Sequence, residues 1–173
     1  MAYTYSKIAT YTVGSGGVAT VSFLNIPQNY TDLLIKASVR NTRSGAAEAE
    51  LRWTVNGSEL SYSNRLLQGN GTSVSTSTTG TTYFYSGEID AATATASIFG
   101  NAEIYIPSYS GSNYKAISAE TVSENNATSA YVTITAGLWS NTAPITSISF
   151  YYTASGIWAE HSSFHLYGIK AEL

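Results

Sequence analysis

The stretch DLLIKASVR at residues 32–40 decides the fold class. Leu33, Ile35, Ala37 and Val39 alternate with Leu34, Lys36, Ser38 and Arg40, the two-residue period of a strand with one face on a core. Residues 49–55 repeat the pattern, with Leu51, Trp53 and Val55 set against Glu50, Arg52 and Thr54. Asn56-Gly57 follows, the strongest short-range hairpin signal, so a return strand is expected over about residues 58–66. On the N-terminal side, residues 3–13 and 18–24 flank Gly14-Ser15-Gly16-Gly17, which reads as a four-residue hairpin loop. Pro27 closes the second run. On the C-terminal side, residues 81–87, 98–106, 114–123, 130–139, 145–152 and 162–170 read as further strands.

Two segments read differently. Residues 68–80, QGNGTSVSTSTTG, carry no charge and little to bury. They are expected to form a mobile loop, or an extension ordered by a partner. Residues 88–96 leave room for one short helical turn. Strands every 10–15 residues without a convincing helix predict an all-β fold: an antiparallel β-sandwich, jelly-roll-like, of about ten strands. Residues 14–173 read as a single sandwich domain, with 1–13 as an N-terminal arm or first strand. The expected core is Leu33, Ile35, Val39, Leu51, Trp53, Val55, Ile104, Ile106, Val132, Ile134, Leu138, Ile148, Phe150, Phe164 and Leu166.

Composition agrees with strands. Charged residues make up 11% of the 173, while the sequence holds 25 Ser, 22 Thr and 14 Tyr. Surface helices draw on Lys, Glu, Arg and Met, which are scarce here. A chain that is 43% hydrophobic and 13% aromatic has enough to build a core, which argues against disorder. Zero Cys removes thiol catalysis, Cys-ligated zinc and iron–sulfur clusters together. A formal net charge of −3 gives no electrostatic pull toward nucleic acid. The N-terminus lacks the apolar run of a signal peptide, and no apolar run approaches a membrane span. The expectation is a chain made in a cytoplasm and not sent out by a classical signal.

Chemistry-bearing residues are sparse. His161 and His165 would sit on one strand face about 13 Å apart, too far to share a metal. Glycoside hydrolysis needs two carboxylates close together. The pairs Glu48/Glu50, Glu88/Asp90 and Glu120/Glu124 each share a strand face by parity, and each reads more simply as solvated edge or loop. Asp32 and Asp90 are too far apart in sequence for a calcium loop. The sequons at Asn29, Asn56, Asn70 and Asn126 read as a by-product of composition. Arg40, Arg43, Arg52 and Arg65 all fall in one quarter of the chain and read as scattered solubility charges, with a small basic face as the alternative. No catalytic, cofactor or metal site is expected, and no enzyme. The 14 tyrosines are more telling, because tyrosine offers a rigid apolar body with a hydroxyl and is enriched at interfaces; the alternative is cross-strand aromatic pairing within the sheets.

The stretches YTDLLIKASVRNTR (30–43), SYSNRLLQGNG (61–71), FGNAEIYIPSYSGSNYKAIS (99–118), ENNATSAYVTITAGLWSNTAPITSISF (124–150) and LYGIK (166–170) resemble virion structural proteins of tailed bacteriophages, cyanophages among them. The likeness runs from about residue 5 to 170, and IPSYSGSNYK and GLWSNTAPITSI are its most specific segments. No catalytic residue set belongs to it. Similar segments occur both in small stand-alone virion proteins and at the ends of longer fibre proteins; the size of one domain with no shaft favours a capsid decoration (cement) protein that stabilises the outside of a major capsid shell, with the major capsid protein and copies of itself, as a homotrimer, for partners. Its alternative is a tail-fibre or receptor-binding domain that recognises host surface glycan. Under the first reading the protein is assembled into the virion in the host cytoplasm. The candidate contact residues are Tyr3, Tyr5 and Tyr11 on the N-terminal segment and Tyr109 and Tyr114 in the loop after Pro107.

Overall fold

The alternating runs become strands, twelve in all, in a computed structural model that describes residues 3–80, 82–126, 130–152 and 156–171, and for Tyr3, Thr79 and Ala171 the backbone alone. They are β1 (Tyr3–Thr12), β2 (Thr20–Phe23), β3 (Asp32–Val39), β4 (Glu48–Val55), β5 (Tyr62–Gly69), β6 (Val74–Thr79), β7 (Phe84–Asp90), β8 (Gly100–Ile106), β9 (Lys115–Glu124), β10 (Ala130–Trp139), β11 (Ile148–Tyr151) and β12 (Ser163–Ala171). The described residues contain no helix. An eight-stranded sheet in the order β1-β12-β3-β8-β9-β10-β5-β6 faces a four-stranded one in the order β2-β11-β4-β7. All strand pairs are antiparallel, so the all-β sandwich expected from the sequence is the observed fold.

The pairing has a simple logic. β1, β2, β3 and β4 pair with β12, β11, β8 and β7. The chain thus makes one antiparallel ribbon whose successive pairs fall alternately in the larger and the smaller sheet. The ribbon folds back on itself where β12 meets β3 and β11 meets β4. Two insertions interrupt it. The β5–β6 and β9–β10 hairpins pair with each other through β10 and β5, and widen the larger sheet beyond β8.

Both expected hairpins at the N-terminal end are corners between sheets instead. Asn56 and Gly57 do take positive φ, 53° and 64°, and Ser58 N–H donates to Val55 O at 2.9 Å. But the Asn56 side chain is spent on the segment before β11: its Nδ2 donates to Pro144 O at 2.8 Å, and its Oδ1 accepts from Thr146 N–H at 2.8 Å. The turn is thereby tied to its own sheet while β5 leaves for the other. Tyr62 at the start of β5 bridges the gap, its hydroxyl accepting from Val55 N–H at 3.0 Å. The Gly14–Gly17 turn likewise separates β1 in one sheet from β2 in the other, and Val18 bridges Trp158.

The core lies between the sheets. Trp53 stacks on Phe84 with ring centres 4.3 Å apart, and Phe150 links Trp53 to Phe164 and Trp158. Three indoles are buried: the N–H groups of Trp53 and Trp158 donate to Ser86 Oγ and Phe150 O, whereas that of Trp139 has no hydrogen-bond partner among the described residues. Twelve of the fifteen residues expected in the core are buried; Val132, Ile134 and Leu138 are not.

Two further expectations fail. Residues 88–96 form no helical turn. They finish β7 and enter a turn that Arg40 holds, its guanidinium donating to the carbonyls of Thr95, Ile98, Ala94 and Ala92. Residues 68–80 are not a free loop but the turn and second strand of the β5–β6 hairpin. Asn70 Oδ1 accepts from both the backbone and the hydroxyls of Thr72 and Ser73, so a local cap orders the turn without apolar burial. The N-terminal segment is the first strand rather than a free arm, paired with β12 from Tyr3 to Thr12.

Candidate functional site

β10 was expected to bury Val132, Ile134 and Leu138. Its other face points inward, carrying Thr133, Thr135, Gly137 and Trp139, all buried. The cause is the closeness of β7. A Cβ on Gly87 would lie 2.0 Å from Thr121 Oγ1 and 2.7 Å from Thr133 Cβ, and one on Gly137 would lie 2.8 Å from the Phe84 ring. At these close approaches the facing residues are threonine and glycine, and Thr135 Oγ1 also donates to Ser86 O of β7 at 3.2 Å. The strand is therefore registered by its small polar face, and its aliphatic face is left outside.

Those aliphatics do not stand alone. Ile134 is paired with Leu67, Leu67 with Thr76, and Val132 with Gly69, which is paired with Val74. Ile134, Leu67, Val132 and Val74 are 54%, 49%, 50% and 72% exposed. Together they make one apolar patch on the outer face of the eight-stranded sheet, beside its β6 edge. A single register line crosses all eight strands through this patch: Thr76, Leu67, Ile134, Glu120, Glu103, Lys36, His165, Thr10. The face is apolar at one end and charged in the middle, where Lys36 Nζ bonds Glu103 Oε2 at 2.5 Å. That bond holds the Lys36 pKa above its usual value. Beyond it the line is polar, with Thr10 Oγ1 3.2 Å from His165 Nδ1.

A second feature lies where the wide sheet overhangs the narrow one. Two adjoining hollows share Gln68. One, of about 180 Å³, is lined by Glu50, Leu66, Ser75, Ser77 and Tyr85; the other, of about 140 Å³, by Arg43, Glu48, Glu88 and Tyr131. Two of the three acid pairs weighed separately in the sequence meet here, because Glu48 is paired with Asp90 and Glu50 with Glu88 across β4 and β7, while Glu120 lies opposite Glu103 on the outer face. Glu50 is neutralised by Arg52 Nε at 2.5 Å, and the Arg52 guanidinium lies over the Tyr83 ring at 4.4 Å. Tyr85 Oη donates to Glu88 Oε1 at 2.7 Å. Burial pushes the Glu88 carboxyl up, helped by the charges of Glu50 and Glu48 and opposed by the Tyr85 hydrogen bond. Burial also pushes Asp90 up, against the hydrogen bond from Ser123 and the charge of Arg40. Glu48 Oε1 and Asp90 Oδ2 are buried without a hydrogen-bond partner. Burial is thus the main cause that disfavours the ionised form of Glu88 and Asp90.

The five tyrosines expected to meet a partner are dispersed. The β-bulge between Lys7 and Ala9 moves β1 onto its other face, so Tyr5 is opposite Ile169 whereas Tyr11 is opposite Phe164. Tyr5 is exposed on the outer face, Tyr11 is exposed on the inner one, and the side chain of Tyr3 lies outside the described residues. Tyr109 is fully buried, its hydroxyl donating to Pro27 O, and so presents no surface to a partner. Tyr114, in the same loop, is exposed. That loop is held from inside by Lys115, whose buried Nζ donates to Gly111 O and Asn113 O at 2.7 and 2.5 Å and whose pKa burial lowers.

The arginines are scattered. Arg40 clamps the turn after β7, Arg43 Nη1 donates to Glu48 O, Arg52 serves Glu50, and Arg65 stands on the outer face. Among the described residues no three His, Cys, Asp or Glu side chains are grouped to hold a metal, and no helix is long and apolar enough to cross a membrane. No known family model, curated protein or solved structure matches the chain.

Proposed function

We propose that this chain is a structural protein of a tailed-phage virion, a decoration protein that stabilises the outside of the capsid shell, with no catalytic role. The wrapped β1–β12 ribbon is read here as a jelly roll enlarged by two inserted hairpins. The observation that carries the proposal is the apolar patch of Leu67, Val74, Val132 and Ile134, gathered beside the β6 edge on the outer face of the larger sheet. Exposed apolar groups gathered in one place mark protein–protein contact surfaces. Many equivalent copies let a modest contact stabilise a shell collectively. The sequence resemblance to virion structural proteins of tailed phages points the same way.

One observation favours a second reading. The hollows around Gln68 offer carboxylates, an amide, hydroxyls and tyrosine rings side by side, the mixture of donors, acceptors and flat apolar faces that suits a sugar. Under that reading the protein is a receptor-binding domain. One experiment separates the two. Particles lacking a decoration protein adsorb to the host normally but lose resistance to heat and osmotic shock. Particles that stay sturdy and fail to adsorb overturn the decoration reading and support the glycan one.

A further inference from the structure

We infer that the free edge of β6 is a docking strand for the β6 of a second copy, giving a two-fold dimer with one continuous sheet. The inference does not depend on the virion reading. β6 is the terminal strand of the eight-stranded sheet, and among the described residues nothing pairs with its outer edge. Its sequence, VSTSTT, has no charge and no proline, and its register with β5 runs without a bulge from Asn64–Thr79 to Gly69–Val74. Charge, proline and bulges are the devices by which proteins keep strand edges from pairing, and β6 has none of them. The other edge of the same sheet has two: β1 carries Lys7 and is bulged between Lys7 and Ala9.

β6 also gains little from its own protomer. Its described side chains are all exposed, so it is held by its ladder with β5 and by the Asn70 cap alone. The occupant that fits is β6 itself. In an antiparallel pair about a two-fold axis normal to the sheet, side chains that share a face must lie opposite one another. Thr76 then meets Thr76 of the second copy at the axis, Ser75 meets Ser77, and Val74 meets Thr78. No like charges are opposed, and Thr–Thr and Ser–Ser neighbours can hydrogen-bond across strands. The same pairing joins the two apolar patches, since Val74, Leu67 and Ile134 lie on the three strands nearest the edge. Six strands at the usual spacing carry a strip roughly 24 Å wide. A trimer, the state expected from the sequence, would instead need β6 to meet a different surface, and the β1 edge is blunted.

The test is solution mass by light scattering of the full chain and of Thr76→Lys, Thr76→Glu and Thr10→Lys. Thr76 is exposed, so its variants keep the wild-type circular dichroism spectrum, which shows that they fold. The inference expects a wild-type dimer, monomers for Thr76→Lys and Thr76→Glu taken singly, a restored dimer when those two are mixed, and a dimer for Thr10→Lys on the opposite edge. A wild-type monomer, a wild-type trimer, or a dimer that survives Thr76→Lys overturns it.

Discussion

Gly87 of β7 and Thr133 of β10 come so close that a first side-chain carbon on Gly87 would lie 2.7 Å from Thr133 Cβ. Both the core and the surface of the larger sheet follow from this contact. It requires glycine above and short polar residues below, and so turns the aliphatic side of β10 to solvent. Gly87 also has φ 135°, a backbone region where L side chains are strained. Gly87→Ala is therefore expected to destabilise the fold by roughly 3 kcal/mol or more, combining strain with overpacking. Gly16→Ala, also at positive φ but with nothing within 4 Å of its Cβ, should cost only about 1 kcal/mol. Urea unfolding of the two variants measures the difference, and equal losses would place the β7–β10 contact elsewhere.

The strands and most of the core were legible in the sequence because alternation states which residues share a face. It does not state which face is inward. For β3 and β4 the aliphatic side won. For β10 the same rule failed, because the decision lay with a glycine more than 40 residues away in β7. Turn chemistry was legible as conformation but not as topology: Asn56-Gly57 makes its turn and still joins two sheets. β6 was missed because apolar content was the criterion, whereas the Asn70 cap and backbone pairing order that segment. The carboxylate pairs were visible one strand at a time, but their meeting across β4 and β7 depends on strand order. The tyrosines could not be sorted in the sequence, because the β1 bulge sets Tyr5 and Tyr11 on opposite faces and Tyr109 turns inward.

Arg40 replaces missing secondary structure in the turn after β7 by bonding four carbonyls. Hydrogen bonds from a charged donor are worth more than neutral ones, so Arg40→Ala should lower stability by about 2–3 kcal/mol. Arg40→Lys should recover little, since an ammonium lacks the planar fork that spans four acceptors. Hydrogen exchange should accelerate across residues 91–98 in both variants. Protection unchanged there would mean that the turn is held by something other than the guanidinium.

The raised carboxyls of Glu88 and Asp90 set a direction for stability against pH. Between the ordinary carboxylate value and the raised one, the folded chain keeps protons that the unfolded chain has released. Stability from these groups is thus full at acid pH below that window and falls as pH rises through it. Glu88→Gln keeps an acceptor for Tyr85 and removes the charge. Its melting temperature should exceed that of the wild type at pH 7, and the gap should shrink as pH is lowered toward the usual glutamate range. A wild-type melting temperature that falls on mild acidification while the Gln variant holds steady would reverse the assignment.

The proposed attachment of the outer face to a capsid shell can be tested by its response to salt. The register line through Ile134 offers two kinds of contact: the apolar end at Leu67, Val74, Val132 and Ile134, and the charged middle at Lys36, Glu103 and Glu120. Exposed ion pairs such as Lys36–Glu103 contribute little and are screened by salt. Burial of apolar area is not screened. If the apolar end makes the contact, attachment to particles should persist as salt is raised from about 0.1 M to 1 M, while the Debye length shrinks from about 10 Å to 3 Å. The double variant Leu67→Thr, Ile134→Thr preserves strand propensity at two exposed sites. Its folding stability should stay within about 0.5 kcal/mol of wild type for each change, while its attachment is lost. Attachment that disappears with salt and survives the double variant would move the contact to Lys36, Glu103 and Glu120, and the role proposed for the exposed aliphatics would fall.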